Sequence, residues 1–393
     1  MIAGRRIFVA YLVYFVALGA AFPYLPVYYR QLGLGLTEIG LLTALQAGIQ
    51  LVLAPVWGGL GDRFPRSRAT LPLAALVATA GASILFLAAD FRGVVAGSLI
   101  LYGGLSGIGP TLDARTLETL GPERRGRFGQ VRAFGSLAFV LATLVVGFML
   151  DAEGAQALFW VYVPFLLATA FVTAAIPRRV GGTNRSVNLL RGAGAFLAKP
   201  GMLLFFGGFT VVWAALAATN AFYSIQIVAL GGSPGLVGIA WSIGASVEVP
   251  FMYAFPRIGA RYGTERLVVA GALAFALREL LAALIADPVV LVLVAPLEGL
   301  GFTCVFVGGV TVVAARAPAG LGGTAQGLFS SSAGLATILG SLGGGAVAGA
   351  LGIRGLFAIC AGVGLVGAGM LALALLRARP RSDAARPVTA AAA

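Results

Sequence analysis

Long apolar runs, broken at short intervals by charge, glycine or proline, dominate the chain. They fall at 7–30, 37–60, 70–89, 93–119, 129–150, 155–176, 201–229, 235–256, 265–285, 288–314, 322–351 and 355–376. Each is close to the roughly 20 apolar residues that cross a bilayer as a helix. In hydrocarbon the backbone satisfies its own hydrogen bonds, so runs of this length predict helices and no open strands. The expected fold is all-α: twelve transmembrane helices in two pseudo-symmetric six-helix bundles. The longest polar stretch, 177–200, divides the series after the sixth run. This gives an N-terminal bundle over 1–180, a linker over 181–200, a C-terminal bundle over 201–380 and a disordered tail over 381–393. The run at 7–29 is too long for a signal peptide and holds Pro23 and Pro26, so it reads as the first span.

Composition agrees. Of 393 residues, 59% are hydrophobic and only 10% charged, against about 25% charged in a soluble domain. The net charge of +13 does not point to nucleic acid, because the basic residues are scattered in short clusters between spans. Those clusters alternate in side. Arginines and lysines total 21 in the loops on one side, against Arg30, Arg92 and Arg354 on the other. The positive-inside rule therefore puts both termini in the cytoplasm of a multi-pass inner (plasma) membrane protein. With no histidine, the usual zinc ligand and neutral-pH proton carrier are missing. No catalytic cluster, metal site or nucleotide-binding loop is recognisable, and no cofactor is expected. This argues against a membrane enzyme or sensor on the same scaffold. Cys304 and Cys360 both fall in apolar runs and read as free thiols.

Charges inside the spans carry the functional expectation, because each costs about 2.5–3.5 kcal/mol at mid-bilayer even on the gentlest scale. They are Asp113, Arg115, Glu118, Arg132, Glu248, Arg278, Glu279 and Glu298. Arg115 and Glu118 are three residues apart near a span end and read as a local snorkelling pair. Asp113 points elsewhere on its helix and has Arg132 of the next span as partner; Asp113→Asn and Arg132→Ala are each expected to abolish substrate binding. In the second half, Arg278 and Glu298 lie roughly 10–14 Å from the outer ends of their spans, counting 1.5 Å per residue, with Glu248 in reach of the arginine. A proton carried on Glu298 or Glu248, with Arg278 facing the carboxylate, is the expected coupling chemistry. Tyr11, Tyr14 and Phe15 share one face of the first span, and with Trp241 are expected to wall the substrate cavity.

Two motifs then point to a family. Gly58-Gly59-Leu60-Gly61-Asp62-Arg63-Phe64-Pro65-Arg66-Ser67-Arg68 resembles the loop signature of the major facilitator superfamily, and a degraded copy, Pro256-Arg257-Ile258-Gly259-Ala260-Arg261, follows the eighth span. By that resemblance Gly58, Asp62, Arg63, Arg66 and Arg68 form a cytoplasmic gate motif. Phe22-Pro23-Tyr24-Leu25-Pro26, Phe128-Gly129-Gln130-Val131-Arg132-Ala133-Phe134-Gly135-Ser136 and Thr324-Ala325-Gln326-Gly327-Leu328 are similar to the phenylpropionate permease group, related to lactose permease and the nucleoside–proton symporters. In lactose permease the arginine matching Arg132 pairs with a fourth-span carboxylate and contacts sugar, roles the resemblance assigns to Arg132 and Asp113. The chain departs from the group at Glu298, where histidine is frequent, and at Glu279, where an aromatic stands. The resemblance implies alternating access between two six-helix bundles. The expected function is proton-coupled uptake of an aromatic acid, sugar or nucleoside by a monomer in the lipid bilayer. Drug or sugar efflux driven by protons is the alternative.

Overall fold

The computed structural model describes residues 2–63, 69–124, 128–176, 194, 196–318 and 321–376. Arg66 and Arg68 of the loop motif lie outside the described residues, as do most of the linker and the whole tail; Asp62 is described only as helix. Among the described residues eleven helices are long and apolar enough to cross a membrane. The last of them, Gly322–Leu375, has 54 residues and is two crossings joined at Gly352, whose φ of 74° is non-helical. That left-handed conformation costs glycine almost nothing. The architecture is therefore the expected all-helical one with twelve crossings.

Local chemistry explains where the helices start and break. Pro234 opens the eighth span behind Ser233, whose hydroxyl accepts from Leu236 N. Asp287 caps the tenth span by accepting from Val289 N and Val290 N. Proline at a first helical position sacrifices an N–H that has no partner there anyway. Inside the bilayer two spans are interrupted. The first is Ile2–Ala21 followed by Leu25–Gln31, parted by a turn at Phe22-Pro23-Tyr24, as Pro23 dictates. The tenth runs as Pro288–Val292, Ala295–Phe302, a π-helical turn at Thr303–Val307 and Gly308–Arg316. Such π-turns recur at functional sites.

The first span packs on the fifth and sixth, the third on the fourth and sixth, and the second on the fourth. In the second half the seventh and ninth pack on the long eleventh–twelfth pair, and the eighth on the tenth. The halves meet where the second span touches the eleventh and the fifth touches the eighth.

One end of the bundle, here the basic face, carries Arg6, which donates to Ala175 O at 2.8 Å, and Lys199, which donates to Arg316 O at 2.8 Å. Close contacts between the halves lie toward the opposite face. A Cβ at Gly40 would meet the Gly345 backbone at 2.5 Å, and Thr37 Oγ1 donates to Gly345 O at 3.3 Å. Asp151 accepts from Gly235 N at 2.8 Å and from Ser233 Oγ at 3.1 Å. Nearer the basic face, Gly58, Gly59, Gly322, Gly323 and Gly327 have nothing within 4 Å of where a Cβ would sit. Among the described residues the cross-half contacts thus close the space between the halves at the opposite face.

Candidate functional site

A cavity of about 460 Å³ lies between the halves, within the size range of small-molecule sites. Of the residues expected to build it, Phe15, Arg132, Trp241, Glu248 and Glu298 line its wall. Phe15 and Arg132 form one unit. The guanidinium stacks on the ring at 4.3 Å from its centroid, a favourable use of the ring quadrupole. Gly135 makes room for it, since a Cβ there would stand 2.8 Å from the ring. The glycine of the Arg132-Ala133-Phe134-Gly135-Ser136 stretch is therefore a seat for Phe15, and Ser136 itself faces the cavity.

Asp113 does not make the expected ion pair with Arg132 and is not part of the cavity wall. Its Oδ1 accepts from Tyr11 Oη at 2.6 Å, and Thr116 Oγ1 stands 3.2 Å from the same phenol. Tyr11 is 1% exposed. The physical reason is proximity: the phenol on the first span already supplies the short charge-assisted bond that the carboxylate needs, and Arg132 finds an aromatic face instead. Tyr14 stands edge-on to Phe15 at 5.5 Å, behind the cavity lining. Arg115 is 3% exposed, so it lies within the bundle and does not snorkel to the surface as expected beside Glu118.

The second half differs from expectation at Arg278. Its Nη1 bonds Glu279 Oε1 at 2.8 Å, both side chains being 1% exposed, and Thr219 Oγ1 donates to the same oxygen at 2.9 Å. The guanidinium also covers the Tyr223 ring at 4.6 Å. Its neighbour in sequence therefore captures the arginine before Glu248 or Glu298 does. Arg278 and Glu298 do share a small void, walled by Tyr223, Trp241 and Gly244. Glu248 and Glu298 are brought to one wall by small residues: a Cβ on Gly299 would meet Glu248 N at 3.0 Å, and one on Gly244 would meet Glu298 Oε2 at 3.2 Å.

Neutral polar residues of the wall escape a search for charge. Thr43, Gln46 and Gln50 line it from the second span, at the i, i+3, i+7 spacing of one helix face. Asn220 lines it from the seventh, and its Oδ1 is buried with no hydrogen-bond partner among the described residues. Amides at mid-span are also costly to leave without partners, and that was the available signal. Trp213 and Phe302, with ring centroids 5.7 Å apart, add to the aromatic lining.

No group of histidine, cysteine, aspartate and glutamate among the described residues is arranged to hold a metal ion. Gly58 and Arg63 of the loop motif end the second span near the basic face, with Arg63 exposed.

Comparison with known proteins places the site in a family. A family model described as "MFS_1 like family" matches residues 5–359. A maltose permease of Geobacillus stearothermophilus is 32% identical over 280 residues, covering 71% of this chain and 70% of that protein. The crystal structure of the nucleoside transporter NupG superposes with a TM-score of 0.84 at 18% identity, over 96% of this chain and 100% of the other. A bacterial homologue of the lysosomal transporter Spinster, in an inward-facing unoccupied conformation, gives 0.71 at 15% identity, over 97% and 98%. At these identities the two structures speak to fold alone. A central cavity between two sets of helices, with charges buried at mid-span, is what a solute pathway through a bilayer requires. The chain belongs to the MFS_1-like family of the major facilitator superfamily, as a multi-pass membrane transporter and not an enzyme.

Proposed function

We propose that the chain is a proton-coupled importer of a neutral, polyhydroxylated solute of the sugar or nucleoside class. The observation that carries this reading is the chemistry of the cavity wall. Among the described residues, aromatic faces such as Phe15, Trp213, Trp241 and Phe302 alternate there with amides and hydroxyls, and with one cation, Arg132, against two acids, Glu248 and Glu298. Sugar C–H faces pack on aromatic rings, and their hydroxyls satisfy carboxylates and amides that are costly to leave bare. An aromatic acid would bring a third carboxylate beside two others with a single arginine to balance them. The 32% identity to a maltose permease points the same way.

In this reading the bundles 1–180 and 201–380, joined by 181–200, rock about the cavity. The basic face is cytoplasmic, so the conformation described opens inward. Protons ride on Glu298 or Glu248, the two acids that reach the cavity. The unit is a monomer in the inner membrane.

Counterflow in proteoliposomes tests the reading. Labelled maltose or uridine should exchange and be displaced by unlabelled sugars or nucleosides, and 3-phenylpropionate should not compete. Competition by the aromatic acid, with none by sugars or nucleosides, would contradict it.

A further inference from the structure

We propose that Tyr24 is the positioning residue of the opposite-face gate: its phenol is a peg seated between the fifth and eighth spans, and its withdrawal opens the cavity to that face. The inference rests on the alternating-access reading above but not on the identity of the solute.

Tyr24 follows the Pro23 break in the first span and is 0% exposed. Its hydroxyl donates to Thr143 O at 2.5 Å, a carbonyl that belongs to the fifth span. The socket is made by two missing side chains. A Cβ at Gly147 of the fifth span would stand 2.6 Å from the Tyr24 hydroxyl, and a Cβ at Gly238 of the eighth span also 2.6 Å. No real Cβ tolerates such a contact, so the peg seats only because both positions are glycine. A residue of the first half thus touches both sides of the cross-half seam. The seam continues outward through Asp151, which accepts from Gly235 N and Ser233 Oγ, and inward through Ser242 Oγ, which donates to Val140 O at 3.3 Å.

The peg is also wired to the cavity. Phe22, two residues before Tyr24, stands edge-on to Trp241 at 5.3 Å, and both line the cavity. Trp241 sits three residues after Gly238 on the eighth span. A solute pressing on Phe22 and Trp241 therefore acts on the turn that carries the phenol and on one wall of its socket. Opening the opposite face separates the fifth and eighth spans, which removes the socket and breaks the bond to Thr143 O. The hinge for that movement is the non-helical turn Phe22–Tyr24, which lets the peg move without bending the rest of the first span.

A cysteine reporter tests this without any solute. In a Cys304→Ala, Cys360→Ala background, Ala245→Cys faces the cavity, and a bilayer-impermeant maleimide is supplied only from the opposite face. Tyr24→Phe keeps the ring and loses the bond, so labelling should rise roughly fivefold, the equivalent of one net hydrogen bond. Gly147→Ala should raise it further by unseating the phenol. The two changes should not add. Tyr24→Phe removes the atom that the new methyl strikes, leaving contacts of 3.0 Å or more, so Tyr24→Phe/Gly147→Ala should label more slowly than Gly147→Ala alone. A merely structural tyrosine would lower the thermal midpoint and leave labelling unmoved. Folded variants that label at the parent rate, or a double variant that equals the product of the singles, would overturn the proposal. A parent protein that never labels from the opposite face while labelling freely from the basic face would instead refute alternating access itself.

Discussion

The two halves of the molecule bury charge in the same manner and offer different charges to the cavity. In the first half the acid Asp113 is retained behind the wall by Tyr11 at 2.6 Å, and the base Arg132 faces the cavity on Phe15. In the second half the base Arg278 is retained by Glu279 at 2.8 Å, and the acids Glu248 and Glu298 face the cavity. Each half thus presents one sign to the cavity, a cation from the first and carboxylates from the second. In the proposed transport cycle a solute bridging the halves meets a cation on one side and carboxylates on the other, and rocking of the bundles changes the distance between opposite charges. This gives a physical reason for coupling solute position to proton position: a carboxylate that loses a nearby cation holds a proton more readily.

Breaking the hidden pair of the second half should have the largest effect. Arg278→Gln strands a fully buried glutamate, a loss worth about 3–5 kcal/mol. The expected outcome is a protein that inserts poorly and melts far below the parent in detergent. Arg278→Gln/Glu279→Gln removes both charges and should recover most of that loss. Thermal unfolding of the three proteins side by side decides it.

Next comes the exposed charge of the first half. Arg132→Ala should weaken solute binding by roughly 10- to 100-fold, the usual size of losing a bond to a charged group. The melting temperature should stay near the parent's, because the guanidinium faces the cavity and leaves no buried partner behind. Equilibrium binding with the solute found by counterflow measures the first, and calorimetry the second.

A subtler change sharpens the Phe15–Arg132 unit without touching either residue. Gly135→Ala places a methyl against the Phe15 ring, which must tilt out of its seat and disturb the stacked guanidinium. Overpacking of this kind costs about 1–3 kcal/mol, so a several-fold weaker affinity with intact insertion is expected, and binding isotherms report it.

The smallest effect is expected at Asp113→Asn. The amide oxygen still accepts from Tyr11, and the side chain lies off the cavity, so affinity should change less than about twofold, below the size of one net hydrogen bond. This departs from the expectation drawn from the sequence, in which Asp113 paired with Arg132 and touched substrate. A large loss of affinity in Asp113→Asn would show that Asp113 enters the cavity in another conformation.

The fold was legible because bilayer thickness leaves a direct mark on sequence. The spans and the break in the first of them follow from run length and from Pro23. The broken tenth span was less visible, since its π-turn at Thr303–Val307 carries no proline or charge. The site was partly legible: intramembrane charge pointed to Arg132, Glu248 and Glu298, which do reach the cavity. Pairing was not. Which partner an arginine takes depends on side-chain reach within a few ångströms. Helical spacing does not foretell that Glu279, the very next residue, would hold Arg278, or that Tyr11 would reach Asp113 before Arg132 did. Gly135, Gly147 and Gly238 were illegible for a similar reason. A glycine among 57 gains meaning only when the ring or hydroxyl occupying its missing side chain is seen.

The central claim is that the charges facing the cavity perform transport and the hidden pairs hold the bundle together. Its most direct test is solute-driven proton uptake in proteoliposomes, read beside solute exchange and thermal midpoint, for Glu298→Gln, Glu248→Gln and Arg278→Gln/Glu279→Gln. At least one of the two cavity variants should lose proton uptake while exchange and midpoint persist. The paired double variant should keep proton uptake at the parent's stoichiometry. Loss of proton uptake in the double variant, with Glu298→Gln and Glu248→Gln both still coupled, would contradict the account.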